Sequence, residues 1–142
     1  MSNLTNCENC PLKGTPKVHS VANPSARIVL VGEGPGGEEE DRGRRFVGRS
    51  GSLWNSALAL AKCDRERDCF ITNAMLCRPP HGTRLKPNEW KKAIECCQPR
   101  LNHEISQHKK AKCIVALGGR ALQALTGKEK IMSWVGAPLE PR

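Results

Sequence analysis

Short apolar runs alternate along this chain with longer stretches in which apolar and polar residues are mixed. The runs cover residues 28–31, 69–73 and 113–117, and Ile and Val recur in them. Continuous apolar runs of this length are typical of strands buried on both faces of a parallel sheet. We therefore predict an α/β fold with three layers, in which helices cover both faces of a short parallel sheet.

The stretches between the runs predict helices, because their apolar residues recur at helical spacing. We expect one helix over about residues 50–62, a second from Pro87, and a short third that ends at Gly127. Pro99 should break or restart the second helix, because proline lacks the amide hydrogen and crowds the preceding turn. The predicted apolar faces are Leu53, Trp54, Ala57, Leu58 and Ala61 in the first helix, and Trp90, Ala93, Ile94, Cys97, Leu101 and Ile105 in the second.

A glycine-rich turn follows the first strand and carries one acidic side chain, Glu33. Residues 32–37 read Gly-Glu-Gly-Pro-Gly-Gly, which allows a sharp bend and a close approach of bare backbone to a ligand. The spacing matches neither a dinucleotide fingerprint nor a Walker loop, which argues against ordinary nucleotide binding. Because parallel strands end at one edge of a sheet, we expect Glu33, Asn73 and the turn at Gly118 to face a common crevice.

Length and charge narrow the class of protein. A chain of 142 residues forms one domain, here residues 1–142, of which 1–26 are an irregular lead-in. A net charge of +9 and a pI near 9.4 predict a polyanionic partner, with nucleic acid first. No run approaches the roughly 20 apolar residues that cross a bilayer, so we expect a soluble, cytoplasmic protein without a membrane partner. The basic residues cluster at Arg42, Arg44, Arg45 and Arg49, and at Lys109, Lys110 and Lys112.

Eight cysteines in an intracellular chain indicate metal ligation or reduced thiols rather than disulfides. Cys7 and Cys10 form a Cys-x-x-Cys pair, and Cys97 and Cys113 are further candidate ligands. A zinc ribbon would need a second such pair, and a thioredoxin-like pair would follow a strand, so the spacing favours an iron–sulfur cluster. We interpret the remaining cysteines as small buried or incidental thiols: Cys63, Cys69, Cys77 and Cys96.

Five ordered motifs resemble those of the iron–sulfur uracil-DNA glycosylases, most closely the family 4 type. They begin at residues 32, 45, 71, 97 and 115, and they read Gly-Glu-Gly-Pro-Gly, Arg-Phe-Val-Gly-Arg-Ser-Gly, Ile-Thr-Asn followed by Cys-Arg-Pro-Pro, Cys-Gln-Pro-Arg-Leu, and Val-Ala-Leu-Gly. The resemblance runs from Cys7 to about Pro138. It implies an enzyme that flips uracil out of DNA and hydrolyses its N-glycosidic bond.

The resemblance also implies roles for individual residues. Glu33 would position or activate the attacking water, and Phe46 would stack on the flipped uracil. Asn73 would hydrogen-bond the polar edge of the base, and the backbone near Gly34 would receive a uracil carbonyl. A [4Fe–4S] cluster would be held by Cys7, Cys10, Cys97 and Cys113, with Cys97 preferred to Cys96 because it begins the Cys-x-Pro-x-Leu element. We expect DNA contacts at Arg49, Arg78 and Arg84.

One element of the family pattern is missing from the sequence. Family members continue into another strand and a His-Pro motif, whereas this chain ends at Arg142 without either. We therefore expect a C-terminally truncated chain, a missing piece supplied by another chain, or binding without efficient catalysis. The absent strand would leave an exposed sheet edge that invites a protein partner.

Two alternatives to the glycosylase remain. The runner-up is a non-catalytic or weakly active module with a glycosylase fold that binds DNA or a protein partner. A uracil-DNA crosslinking relative would need a longer insertion than residues 81–87, which argues against it.

Overall fold

The computed structural model describes residues 4–81 and 84–140, and its centre is a parallel sheet. The strands within the described residues are β1 (Ile28–Gly32), β2 (Cys69–Asn73) and β3 (Cys113–Ala116). They lie in the order β2-β1-β3, so β1 is central and β3 is at an edge. The predicted α/β class and all three predicted strands are confirmed. Gly32 pairs with Asn73, so the ends of β1 and β2 are level.

Helices fill the connections between the strands. They are α1 (Gly37–Arg42), α2 (Arg49–Leu60), α3 (Arg65–Asp68), α4 (Pro87–Gln107) and α5 (Gly119–Thr126), with 3₁₀ turns at Cys7–Asn9 and Ile131–Ser133. The sequence predicted α2, α4 and α5 but not the two short helices. Capping fixes those two: Glu39 caps α1, and the Asp64 side chain accepts from Arg67 N at 2.7 Å to begin α3.

Helix α4 runs without interruption through Pro99, so the predicted break at that residue is wrong. Pro99 is exposed and lies on the solvent side of the helix. The hydrogen bond that proline cannot donate is therefore lost at the surface and not in the core. In the turn before it, the Cys96 carbonyl accepts from Asn6 N at 2.9 Å, outside the helix. The buried residues on both sides of the proline, Ile94 and Leu101, keep the helix on the core.

Side chains alternate between the two faces of the sheet, as strand geometry requires. Val29, Val31 and Phe70 point toward α4 and α5 and form the larger apolar cluster. Leu30 and Cys69 point the other way and pack against Leu58 of α2. The sheet is therefore the middle of three layers, as predicted.

Helix α2 presents a narrower face to the sheet than its apolar pattern predicts. Gly51 and Leu58 are buried and Trp54 is half-buried, whereas Leu53 is 75% exposed. Gly51 fixes this orientation, since a Cβ atom there would overlap the carbonyl group of Phe46. Leu53 consequently lies beside the packed face rather than within it.

The lead-in before β1 is tied to the segment that follows β2. Val18 N donates to Leu76 O at 2.9 Å, and Lys17 forms an antiparallel bridge with Cys77. Within the described residues, no helix is long and apolar enough to cross a membrane.

Candidate functional site

The carboxyl ends of β1 and β2 open into a cavity of about 730 Å³, which we call the strand-end cavity. It is lined by Glu33, Gly34, Phe46 and Asn73 among others, so residues from three separate segments come together. The pairing of the two strands continues past their ends, because Ala74 N donates to Gly32 O at 2.8 Å and Met75 N to Glu33 O at 3.0 Å. The backbone at Glu33 is therefore held by hydrogen bonds to the segment that follows β2.

Glu33 is exposed to the cavity and is oriented by the start of α5. Arg120 N donates to Glu33 Oε1 at 3.1 Å. Gly118 stands at φ 102°, and a Cβ atom there would lie 2.5 Å from the same oxygen. Only glycine fits both the backbone conformation and the space. The start of α5 thus fixes one carboxylate oxygen at the edge of the sheet.

Phe46 stands over Gly32, whose missing side chain makes room for the ring. A Cβ atom on Gly32 would lie 2.6 Å from Phe46 Cζ. The backbone of Phe46 is in the left-handed region, at φ 50°, which is unfavourable for an aromatic residue. Arg65 holds it there, because Nη1 donates to the Phe46 carbonyl at 2.8 Å and Nη2 to the Arg45 carbonyl at 2.7 Å. The ring is thus presented by a braced loop.

Asn73 is only 1% exposed and lies at the end of β2, against the same glycine. Its carboxamide is satisfied when Oδ1 accepts from Arg45 Nη1 at 3.0 Å and Nδ2 donates to Thr72 O at 3.1 Å. The backbone carbonyl of Asn73 accepts from Arg100 Nη2 at 2.9 Å. Both ends of this residue are therefore held by buried arginines.

Glu39 lies in an acidic run, residues 38–41, and has a role in the cavity that the sequence pattern does not reveal. Its Oε1 accepts from Val47 N and Gly48 N, both at 2.9 Å, and its Oε2 from Gly36 N at 3.1 Å. Burial acts to raise the pKa of Glu39, but these amide donors outweigh it and the pKa is lowered. One carboxylate thus joins the glycine-rich turn to the loop that carries Phe46.

The arginines expected at a DNA surface are distributed around this edge. Arg49 begins α2 and lines the strand-end cavity. Arg78 lies across Gly37, with Nη1 3.4 Å from Glu40 Oε2. Arg84 is exposed. Gly82 and Thr83, between Arg78 and Arg84, lie outside the described residues. The prediction that residues 81–87 are too short for the insertion of a crosslinking relative therefore stays a prediction.

A second cavity, of about 360 Å³, brings cysteines together, and we call it the thiol cavity. Its lining includes the predicted ligands Cys7, Cys10 and Cys97, and also Cys77 and Cys96. Burial, followed by the neighbouring Cys96, Cys97 and Cys77, raises the pKa of Cys10 to about 11, although a backbone hydrogen bond opposes the shift. A hydrogen bond with Thr5 lowers the pKa of Cys7. The lead-in, the end of β2 and α4 each contribute to this cavity.

The structure does not bring Cys113 to the other predicted ligands. Cys113 begins β3, is exposed and lines a different cavity. Its position pairs with Ile28, which packs on the α2 face, whereas Cys10 and Cys97 pack on the α4 face. β3 lies at the opposite edge of the sheet from β2, and Cys113 is at the start of β3, whereas Cys77 follows the end of β2. Cys113 therefore lies away from the thiol cavity. Spacing along the chain suggests this ligand, but spacing does not record which edge of the sheet a strand occupies.

Cys77 lines the thiol cavity, whereas Cys113 does not. Two signals in the sequence pointed to it: it follows Asn73 by four residues, and it begins the Cys-Arg-Pro-Pro motif. The sequence alone favours an incidental thiol at this position. The nearness of Cys77 to the Cys-x-x-Cys pair is visible only in the structure, where Lys17 and Cys77 form a bridge. Within residues 4–81 and 84–140, no three Cys, His, Asp or Glu side chains converge closely enough to hold a single metal ion.

Comparisons with known proteins agree with the motifs and the fold. A family model described as the uracil DNA glycosylase superfamily matches residues 19–139. The Type-4 uracil-DNA glycosylase of Thermotoga maritima is 39% identical over 134 residues, which cover 88% of this chain and 63% of that protein. The enzyme of the same name from Pyrobaculum aerophilum is 37% identical over 130 residues, with the same two coverages.

A third relative, the Type-4 uracil-DNA glycosylase of Archaeoglobus fulgidus, is 37% identical over 122 residues, which cover 84% of this chain and 58% of that protein. The chain therefore spans about three fifths of the length of the curated relatives that it matches. The family model covers most of the chain, including both strand ends and the turn that carries Glu33. The chain belongs to the uracil-DNA glycosylase superfamily.

Proposed function

We propose that this protein is a uracil-DNA glycosylase, which flips uracil out of DNA and hydrolyses its N-glycosidic bond to leave an abasic site. The observation that carries the proposal is the strand-end cavity, in which Glu33, Phe46 and Asn73 converge although they are far apart in sequence. One acid, one aromatic ring and one carboxamide are the groups that such a reaction needs around a single base.

Each of the three side chains has a distinct task. Glu33, with one oxygen already fixed by Arg120 N, uses its carboxylate to hold the attacking water and to stabilise positive charge that develops on the sugar. Phe46 provides the apolar wall on which the base stacks. Asn73 offers a donor and an acceptor to the polar edge of uracil. The glycine backbone at Gly34 leaves room for a uracil carbonyl.

We also propose a [4Fe–4S] cluster in the thiol cavity, held by Cys7, Cys10, Cys77 and Cys97. The cavity supports it, because thiols from three separate segments surround one space: Cys7 and Cys10 are half-buried, and Cys77 and Cys97 are buried. In a cubane cluster each thiolate binds a different iron atom, so the sulfurs need not converge on one point. Among the described residues, no three Cys, His, Asp or Glu side chains lie close enough together to hold one metal ion. This arrangement is compatible with a cluster and does not favour a single zinc ion. The cluster would tie the lead-in to β2 and α4.

DNA is the proposed partner of the strand-end edge, where Arg49 and Arg78 are near the cavity. The net charge of +9 supports a salt-dependent attraction to phosphates. A protein partner at the edge strand β3 is a second proposal. It is supported by the position of β3 at the end of the sheet order and by the half-buried state of Ile114, Val115 and Ala116.

Uracil-containing oligonucleotides, followed by alkaline cleavage of abasic sites, test the function. We expect strand cleavage with the wild-type protein and a loss of about a hundredfold or more in Glu33→Gln, because general acid–base groups contribute about 10²–10⁴-fold. Asn73→Ala should lose a comparable amount. Exposed Glu95, on α4, provides a matched control, and Glu95→Gln should keep the wild-type rate.

Two outcomes would contradict the proposal. Equal activity in wild-type protein and Glu33→Gln would remove Glu33 from its role. Uracil-specific binding without any base release by the wild-type protein would favour a non-catalytic glycosylase-fold module.

A further inference from the structure

A carboxamide does not by itself distinguish uracil from cytosine. Uracil presents an acceptor at O4 and a donor at N3–H, whereas cytosine presents a donor at its amino group and an acceptor at N3. An asparagine whose amide can turn by 180° about its terminal torsion matches either base, because its oxygen and nitrogen exchange places. Selection of uracil through Asn73 therefore requires something that fixes the orientation of its amide.

The surroundings of Asn73 distinguish its two terminal atoms. Arg45 Nη1 lies 3.0 Å from one of them, and a guanidinium group can only donate, so this atom is the oxygen. The Thr72 carbonyl lies 3.1 Å from the other, which must be the nitrogen. The opposite orientation would place donor against donor and acceptor against acceptor inside the protein, where unmade hydrogen bonds are costly.

Arg45 is itself held in place. It is 6% exposed, and its Nη2 donates to the Val18 carbonyl. Its own backbone carbonyl accepts from Arg65 Nη2 at 2.7 Å. Burial, with a contribution from Arg100, lowers the pKa of Arg45 to about 9, so the guanidinium is still cationic at neutral pH. A fixed, charged donor thus lies beneath the amide.

We propose that Arg45 is a positioning residue that selects uracil over cytosine by fixing the orientation of the Asn73 carboxamide. In this orientation one lone pair of Oδ1 remains for uracil N3–H, and one hydrogen of Nδ2 remains for O4. Cytosine would meet a donor with its amino group and an acceptor with its N3. The inference rests on the proposed function, because it assumes that Asn73 contacts the base.

Binding to non-cleavable DNA tests the inference without relying on catalysis. The probes are single-stranded oligonucleotides that differ only in one 2′-fluoro-2′-deoxyuridine or 2′-fluoro-2′-deoxycytidine, because the fluorine slows cleavage and single strands remove differences in base pairing. Fluorescence anisotropy gives the two dissociation constants for wild type, Arg45→Met and Arg45→Lys. Arg44→Met is the matched control, since this exposed neighbour carries the same charge in the same loop.

We expect the wild-type protein to prefer the uracil probe and Arg45→Met to reduce this preference by about tenfold to a hundredfold, the range for a hydrogen bond to a charged group. Arg45→Lys should lose part of the preference, because one ammonium replaces the two guanidinium nitrogens that contact the Val18 carbonyl and Asn73. Arg44→Met should weaken binding to both probes equally and leave the ratio unchanged. Melting curves identify folded variants, and Arg45→Lys alone decides if Arg45→Met does not fold.

The outcomes separate this inference from the proposed function. A wild-type protein that binds both probes equally would overturn the proposed function and this inference together. A wild-type preference that survives unchanged in folded Arg45→Met or Arg45→Lys would overturn the role of Arg45 alone.

Discussion

The strand-end cavity and the thiol cavity are built in different ways. The first lies where β1 and β2 end, and its groups are fixed largely by backbone donors and acceptors, such as Arg120 N on Glu33 and the Phe46 carbonyl on Arg65. The second lies between the lead-in, the end of β2 and α4, and its groups are side-chain thiols brought together by packing. The ends of two paired strands determine the place of the first cavity, whereas the place of the second depends on how the lead-in packs against α4 and the segment after β2.

This difference explains why some predicted residues come together and others do not. Glu33 and Asn73 were expected to meet because parallel strands end at one edge, and the structure places both on the strand-end cavity. No comparable rule brings cysteines together, so spacing alone suggests Cys113, which lies on the edge strand opposite β2 and lines a separate cavity. We infer that variants in the strand-end cavity should reduce activity while the fold persists, and that variants in the thiol cavity should reduce stability.

The largest expected effect comes from the proposed cluster ligands. Cys77→Ser should lose most of the bound iron and visible absorbance, because serine replaces a thiolate that the cluster requires. Since metal binding is coupled to folding, we expect the melting temperature to fall by roughly 5–10 °C. Iron analysis, absorbance and thermal denaturation measure these changes.

Cys113→Ser is the matched control for that experiment. It removes an exposed thiol that lines a separate cavity, so iron content and melting temperature should remain at the wild-type values. Loss of iron in Cys113→Ser together with full retention in Cys77→Ser would restore the ligand set predicted from spacing. Stoichiometric zinc in a colourless wild-type protein would replace the cluster with another metal site.

A smaller effect is expected from Glu39→Gln, which weakens the link between the glycine-rich turn and the Phe46 loop. Three amides lose a charged acceptor, and because Glu39 is only partly buried we expect a loss of about 1–2 kcal/mol in the free energy of unfolding. Uracil release should fall at the same time, since Phe46 is no longer fixed over Gly32. Urea denaturation and the oligonucleotide assay measure the two losses.

The pH dependence of Glu39→Gln gives a more specific test. The pKa of Glu39 is lower in the folded protein than the value of about 4.3 in unfolded chains. Its stabilisation is therefore complete above about pH 5 and is lost as the pH falls through the folded pKa. The difference in unfolding free energy between wild type and Glu39→Gln should disappear at low pH. A difference that grows as the pH falls would contradict the assignment.

The smallest expected effect is that of Arg65→Gln. This change removes the donors to the Arg45 and Phe46 carbonyls, and we expect about 1 kcal/mol less stability, because α3 remains capped by Asp64. The apparent affinity for a uracil-containing strand should weaken severalfold while kcat changes less, because the stacking ring becomes mobile. Arg67→Gln, at an exposed position of α3, is the control. A Michaelis constant equal to that of the wild type would show that Phe46 needs no brace.

Much of the fold could be predicted from the sequence, because its apolar runs and periodic stretches have local causes. The runs at 28–31 and 69–73 and the helices around Leu58 and Leu101 are confirmed. The short helices α1 and α3 could not be predicted from periodicity, because caps from Glu39 and Asp64 determine them. The rule that proline breaks a helix also did not predict the continuity of α4 through Pro99. Burial of the flanking residues Ile94 and Leu101 outweighs the one hydrogen bond that Pro99 cannot make.

The sequence by itself determined the three strands, the acid after β1 and the amide at the end of β2, and its motifs indicated the family. These features follow from residue type and from spacing along one segment. The tertiary structure alone decided that Glu39 is a brace, that Arg45 lies beneath Asn73, and that Cys77 rather than Cys113 lies with the Cys-x-x-Cys pair. The physical reason is that hydrogen bonds and thiol contacts depend on distances between side chains from separate elements, which packing sets.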